Sequence, residues 1–243
     1  MRCGGQTLLM AMNKLSVMRT LAGTLIGLMC WGAAFAHASV PSGKTTVVYF
    51  GNQTQGDFDS KVKPVFDAQS CKSCEIVNYT PYTKEGAVDM AALRERVSSL
   101  PDGASFVFFD FNMKVNDQNK DLVELLNQKA EKGLVIVGSA GAPRANEASG
   151  PLSRTVLGQV RNALIIGELG EKDRLMPSAF YGPEMLTALR PPKDKIGQGY
   201  GPLIFAANLA EHWNKHSSAE WTEYLKNKKS KSRKIWLDLN DMF

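Results

Sequence analysis

Ser105-Phe106-Val107-Phe108-Phe109-Asp110-Phe111 is apolar on both of its alternating faces, the pattern of a strand covered on two sides. Downstream, Asp117 to Lys132 carries Leu122, Val123, Leu125, Leu126 and Ala130 on one side, so it reads as an amphipathic helix. Asp117 is its expected N-cap and Gly133 its stop. Leu134-Val135-Ile136-Val137 then reads as a second buried strand. Strand, helix and strand at this spacing is the signature of a right-handed parallel crossover. The expected fold class is therefore α/β, a mainly parallel sheet flanked by helices on both faces.

The rhythm extends in both directions. Upstream, Lys44 to Phe50 is a β-branched and aromatic run ended by Gly51, and Glu75 to Tyr79 is a further strand. Gly56 to Ser60 reads as a loop, Lys61 to Ala68 as a short helix, and Val88 to Leu100 as an amphipathic one. Arg144 to Ser153 reads as a polar surface loop and Asn162 to Leu169 as another strand. Leu175 to Tyr181 and Glu184 to Leu189 are shorter extended candidates. A glycine turn, Gly197-Gln198-Gly199-Tyr200-Gly201, then feeds a buried helix with Pro202 in its first turn. Such a helix start attracts anions and can carry a nucleophile, yet here it holds no Ser, Cys or Thr. Ala219 to Asn227 is a last helix, and Lys234 to Asp238 an edge strand.

The first 38 residues read as an export signal, leaving 39–243 as a single domain. Lys14 and Arg19 form the basic flank, Leu21 to Met29 the apolar core, and Ala34-Phe35-Ala36 and Ala36-His37-Ala38 fit small-x-small cleavage. The apolar run is short for a membrane helix, so no stable span is expected after cleavage, and the protein is expected in the periplasm or secreted. The chain's net charge is +5; without Arg2, Lys14 and Arg19 of the leader it is +2. Six of the remaining cations crowd residues 226–234, and the rest of the domain then sums to −4. The basicity is thus local, which argues against a nucleic-acid partner.

Of four cysteines, Cys71 and Cys74 survive processing. In an oxidising compartment they are expected to form a local disulfide. A thiol-redox role is the alternative, and it would need the pair to open a helix after a strand. Here the pair follows a helical stretch and precedes a strand. No second ligand pair suggests zinc, and Asp57 and Asp59 are too few oxygens for calcium, so no metal or cofactor is expected.

From Ser105 to Leu225 the chain resembles the subtilisin-like serine proteases. Ser105 to Met113 looks like their central strand running into a substrate-binding segment. Lys132 to Ala142 looks like their helix end, strand and A-A-G-N segment. Asn162 to Leu169 followed by Ser178 to Pro183 is similar to their V-I-x-V-G-A-x and S-x-F-S-x-x-G-P stretches. Gly199-Tyr200-Gly201-Pro202 and the helix beyond look like the end of G-T-S-M-A-x-P and the alanine-rich helix behind the nucleophile. The resemblance implies a subtilisin-like three-layer sandwich.

The resemblance also puts Gln198 in the place of the nucleophilic serine, Ala142 in that of the oxyanion asparagine, and Tyr49 near that of the aspartate. No histidine lies between His37 and His212, and His212 and His216 read as surface residues. No catalytic residue carries over, and glutamine cannot form an acyl-enzyme. The expected role is a proteolytically inactive binding or scaffold module with an unidentified peptide or protein ligand. Asp110, Asn112, Ser139, Gly141, Gln198 and Tyr200 are the candidates for its cleft at the strands' carboxyl ends. A functioning hydrolase with a rewired site is the competing reading, with Ser139 or Ser178 as nucleophile beside a base.

Overall fold

The computed structural model describes residues 45–51, 53–68, 74–100, 106–141, 150–197, 199–212, 216–232, 237 and 242–243. The expected leader, Cys71, Ala142, Gln198 and nearly all of the expected last strand lie outside these residues.

Among the described residues six strands form one parallel sheet: β1 (Thr45–Phe50), β2 (Cys74–Tyr79), β3 (Phe106–Phe109), β4 (Val135–Ser139), β5 (Leu164–Glu168) and β6 (Met185–Leu189), in the order β2-β1-β3-β4-β5-β6. Side chains alternate between two cores, one on each face. Val47, Tyr49, Phe106, Phe108, Val135 and Val137 enter one. Val48, Phe50, Val107, Phe109 and Ile136 enter the other. Both faces of the central strands are therefore apolar, as their sequence requires.

The first core is closed by three helical segments. One starts as α1 (Gln55–Asp57), passes through a π-turn at Phe58–Val62 and continues as α2 (Lys63–Ala68). The others are α6 (Tyr200–His212) and α7 (Ser218–Ser232). The second core is closed by α3 (Met90–Ser99), α4 (Lys120–Glu131) and the short α5 (Val156–Gln159). Helices on both sides of the sheet give the three layers. Among the described residues no helix is long and apolar enough to cross a membrane.

Several local expectations are corrected. Gly56 to Ser60 is helical rather than a loop, because Thr54 caps the segment and burial of Phe58 against Tyr49 outweighs the turn-forming residues around it. Helix α4 begins at Lys120 with Asn119, not Asp117, at its N-cap. Asn119 instead closes the preceding turn, accepting from Asn116 N–H and donating to the Lys114 carbonyl. Leu152 is buried within the expected polar surface loop, and the α5 residues Val156 and Leu157 just beyond that loop are buried as well. Leu175 to Tyr181 is a run of turns and isolated bridges, not a strand. Helix α7 runs to Ser232, five residues past its expected end at Asn227.

Helix α6 lies close enough to the sheet that Gly201 has no room for a side chain. A Cβ there would stand 2.9 Å from the Leu189 carbonyl oxygen and 3.4 Å from the Leu189 Cβ. Backbone cannot swing aside as a side-chain tip can, so Gly201→Ala is expected to cost about 1–3 kcal/mol. A lower urea midpoint with an unchanged m-value is the expected readout; an unchanged midpoint would contradict this packing.

Candidate functional site

Parallel strands leave their carboxyl ends at one edge, and the polar side chains there converge on the start of α6. Asp110 directly follows β3, and its N–H donates to the Phe50 carbonyl at 2.9 Å. Tyr49, from the neighbouring β1, sends its phenol to the same edge. The Tyr49 Oη–H donates to Asp110 Oδ2 at 2.6 Å. Gly51 makes this reach possible, since a Cβ at Gly51 would fall 2.3 Å from the Tyr49 ring. Burial pushes the Asp110 carboxyl up to about 7, with the nearby Glu168 charge adding and the Tyr49 hydrogen bond opposing. Burial and the Asp110 charge push the Tyr49 phenol well above its ordinary range.

Glu168 is the group that the sequence reading missed. It ends β5, is only 6% exposed, and aims its carboxylate at the glycine turn. Oε1 accepts the Gly197 N–H, and Oε2 accepts the Gly201 N–H at 3.1 Å. The first N–H groups of a helix have no partner within it, and they attract negative charge. Here that position is filled from within the protein. Gly197 and Gly199 have φ of +83° and +72°, which fits glycine and lets the turn fold back onto the carboxylates. Gly199 lies so near Asp110 that a Cβ would be 3.0 Å from Oδ1. The only advance signal was an acidic residue closing an otherwise apolar strand.

A cleft of about 370 Å³ opens beside this turn. Ser60, Lys61 and Pro64 line one side; Lys195, Tyr200 and Leu203 line the other, with Asp110 between them. Lys195 Nζ stands 5.8 Å from the centre of the Tyr200 ring. Of the sequence candidates, Asp110 and Tyr200 both line this cleft, and Gln198 lies outside the described residues.

The remaining candidates go elsewhere, because each is occupied in holding backbone. Asn112, 1% exposed, donates to Thr155 Oγ1 and accepts from the Met113 and Leu157 N–H groups. The Ser139 hydroxyl accepts the Gly141 N–H at 3.0 Å, and Gly141 bridges to Ala179. These contacts join the end of β4 to the chain around Phe180 rather than line the cleft. The His212 ring bonds the Asn208 carbonyl and His216 faces Glu220, both at the far end of α6. Asp57 is paired with Lys61, and among the described residues no three His, Cys, Asp or Glu side chains gather to hold a metal. Cys74 opens the edge strand β2.

Solved structures share this architecture. A cold-adapted subtilisin-like serine proteinase superposes with a TM-score of 0.54 at 11% identity, over 76% of this chain and 82% of that one. A psychrophilic protease gives 0.52 at 12% identity, over 81% and 86% of the two chains. The chain has the subtilisin-like fold. By sequence, no protein-family model and no curated protein matches it. At these identities the likeness is one of backbone, and a subtilisin-like sheet does not by itself carry protease chemistry. Among the described residues, the side chains that meet the start of α6 at the carboxyl edge include the carboxyls of Asp110 and Glu168, with the Tyr49 phenol bonded to Asp110.

Proposed function

We propose that this is an exported subtilisin-like domain that does not cleave peptide bonds and serves as a binding or scaffold module. One observation carries the reading: the Glu168 carboxylate accepts N–H groups on both sides of the glycine turn that starts α6. Acyl transfer needs donors free to receive a developing oxyanion and a nucleophile beside a base. At this turn Gly197 and Gly201 donate to a carboxylate, and Asp110 adds a second acid next to Gly199. An oxyanion there would be repelled rather than stabilised. Gln198, in the serine's place by resemblance, supplies no nucleophile. Tyr49, in the aspartate's place, is a phenol committed to Asp110.

The cleft is the place for a ligand. Lys61 and Lys195 give it cations, Tyr200 a ring, and Leu203 and Pro64 apolar area, a mixture suited to a peptide or a protein segment. Export rests on residues 1–38 and accords with a Cys71–Cys74 crosslink in an oxidising compartment.

The test is exposure of the purified protein to a fluorophosphonate probe, followed by a casein digestion. No covalent labelling and no digestion are expected. Stoichiometric labelling that disappears in Ser139→Ala or Ser178→Ala would establish the rewired hydrolase instead.

A further inference from the structure

A second cavity, of about 390 Å³, lies at the opposite end of α6 from the glycine turn. Rings from the end of α6, the start of α7 and the last residue of the chain surround it. Trp221 stands edge-on to His216 at 5.9 Å and to Tyr224 at 5.6 Å, and is tilted against Phe243 at 5.8 Å. Phe243 stacks on His212 at 5.1 Å. Trp221 is 6% exposed, whereas Tyr224 is 40% exposed, so the cavity has a firm inner wall and an open side. Glu220 contributes the one acidic side chain among the described lining residues.

We infer that this cavity binds a quaternary ammonium ion. Ring faces carry negative charge density and attract cations, most strongly where water is excluded. Lys228 Nζ already stands 5.3 Å from the centre of the Tyr224 ring, so that ring accepts a cation in the free protein. Glu220 supplies the countercharge. Its Oε2 accepts the Ser217 N–H at 2.7 Å and the Ser217 hydroxyl at 2.9 Å, and these bonds hold its carboxyl below the usual range. The aromatic character of the lining decides which cation fits. A primary ammonium brings three N–H donors that need acceptors, and burying them unpaired is costly. A fully alkylated ammonium has none to satisfy, and its methyl groups pack against rings. The cavity is remote from the cleft in sequence and lining, so it stands whether or not the cleft is catalytic.

Calorimetric titration of the purified protein with tetramethylammonium and with choline tests this. Saturable binding of both is expected. The neutral carbon isostere of choline, 3,3-dimethylbutan-1-ol, is expected to bind at least about tenfold more weakly, as is n-butylammonium. Tyr224→Ala, at an exposed position, and Glu220→Gln are each expected to weaken choline binding by about 2- to 30-fold. Trp221→Phe keeps an aromatic wall and is expected to fold and to bind more weakly, since indole is the better cation acceptor. Absence of saturable binding would overturn the proposal. So would equal affinity for the neutral isostere or the primary amine, or unchanged affinity in Tyr224→Ala.

Discussion

Glu168→Ala is expected to lower the unfolding free energy by about 3–5 kcal/mol. The substitution removes the acceptor for two N–H groups at once. The Gly201 N–H is buried, so water cannot replace the carboxylate without entering the space between α6 and the sheet. An orphaned buried donor costs about 1–3 kcal/mol, and bonds to a charged acceptor are worth about 1.5–3 kcal/mol each. The Gly197 N–H is only partly buried and recovers a water, so most of the loss is assigned to Gly201. The favourable interaction of a negative group with the start of α6 is lost as well. Glu168→Gln keeps the shape and one acceptor oxygen, so an intermediate loss of about 1–3 kcal/mol is expected. Urea unfolding followed by circular dichroism reads both. An alanine variant within about 0.5 kcal/mol of the parent would mean that the turn does not depend on this carboxylate.

What could be read in advance follows from how far each determinant reaches along the chain. The central strands were legible because their apolarity is contiguous: Phe106 to Phe109 and Val135 to Val137 are buried on both faces. Asp110 was legible for the same reason, as a charge ending such a run. Its partner Tyr49 is 61 residues away, and nothing local marks the pair. Glu168 is separated by 29 and 33 residues from the two glycines it holds, so it read as an ordinary strand end. Asn112 and Ser139 drew attention because they are polar residues at strand ends. Burial then turned their polarity inward, since a buried amide or hydroxyl must find partners and backbone was nearest. Lys61 to Ala68 was legible as a helix, but its extension back to Gln55 was hidden by Gly56, Asp57, Asp59 and Ser60. That extension forms because Phe58 and Val62 have a core to enter, a fact that no local propensity contains.

Between pH 4 and 8 the parent protein is expected to lose stability that Asp110→Asn does not lose. The folded-state Asp110 carboxyl lies at about 7, against about 3.9 in an unfolded chain. Its folded pKa is raised, so the folded state holds the proton more tightly. The contribution is fully present below about pH 3.9 and is lost as pH rises through about 7. A gap of about three units corresponds to an effect on the order of 4 kcal/mol. Surface acids such as Asp121, held low by Arg94, give the opposite slope at the acid end. The difference between parent and Asp110→Asn cancels them. That difference is expected to be near zero at pH 4 and to favour the variant by about 2–4 kcal/mol at pH 8. The asparagine carbonyl can still accept the Tyr49 hydroxyl, so the hydrogen bond is not what is removed. Tyr49→Phe removes it, and with it the donor that favours the ionised acid. In that variant the falling limb is expected to move to higher pH. Parallel stability curves for parent and Asp110→Asn would place Asp110 in water rather than between β3 and the α6 turn. Because Asp110 also lines the cleft beside Lys61 and Lys195, the same titration sets the charge that a ligand meets there. A ligand carrying an anionic group is therefore expected to bind more tightly at pH 6 than at pH 8, the opposite of a cationic one.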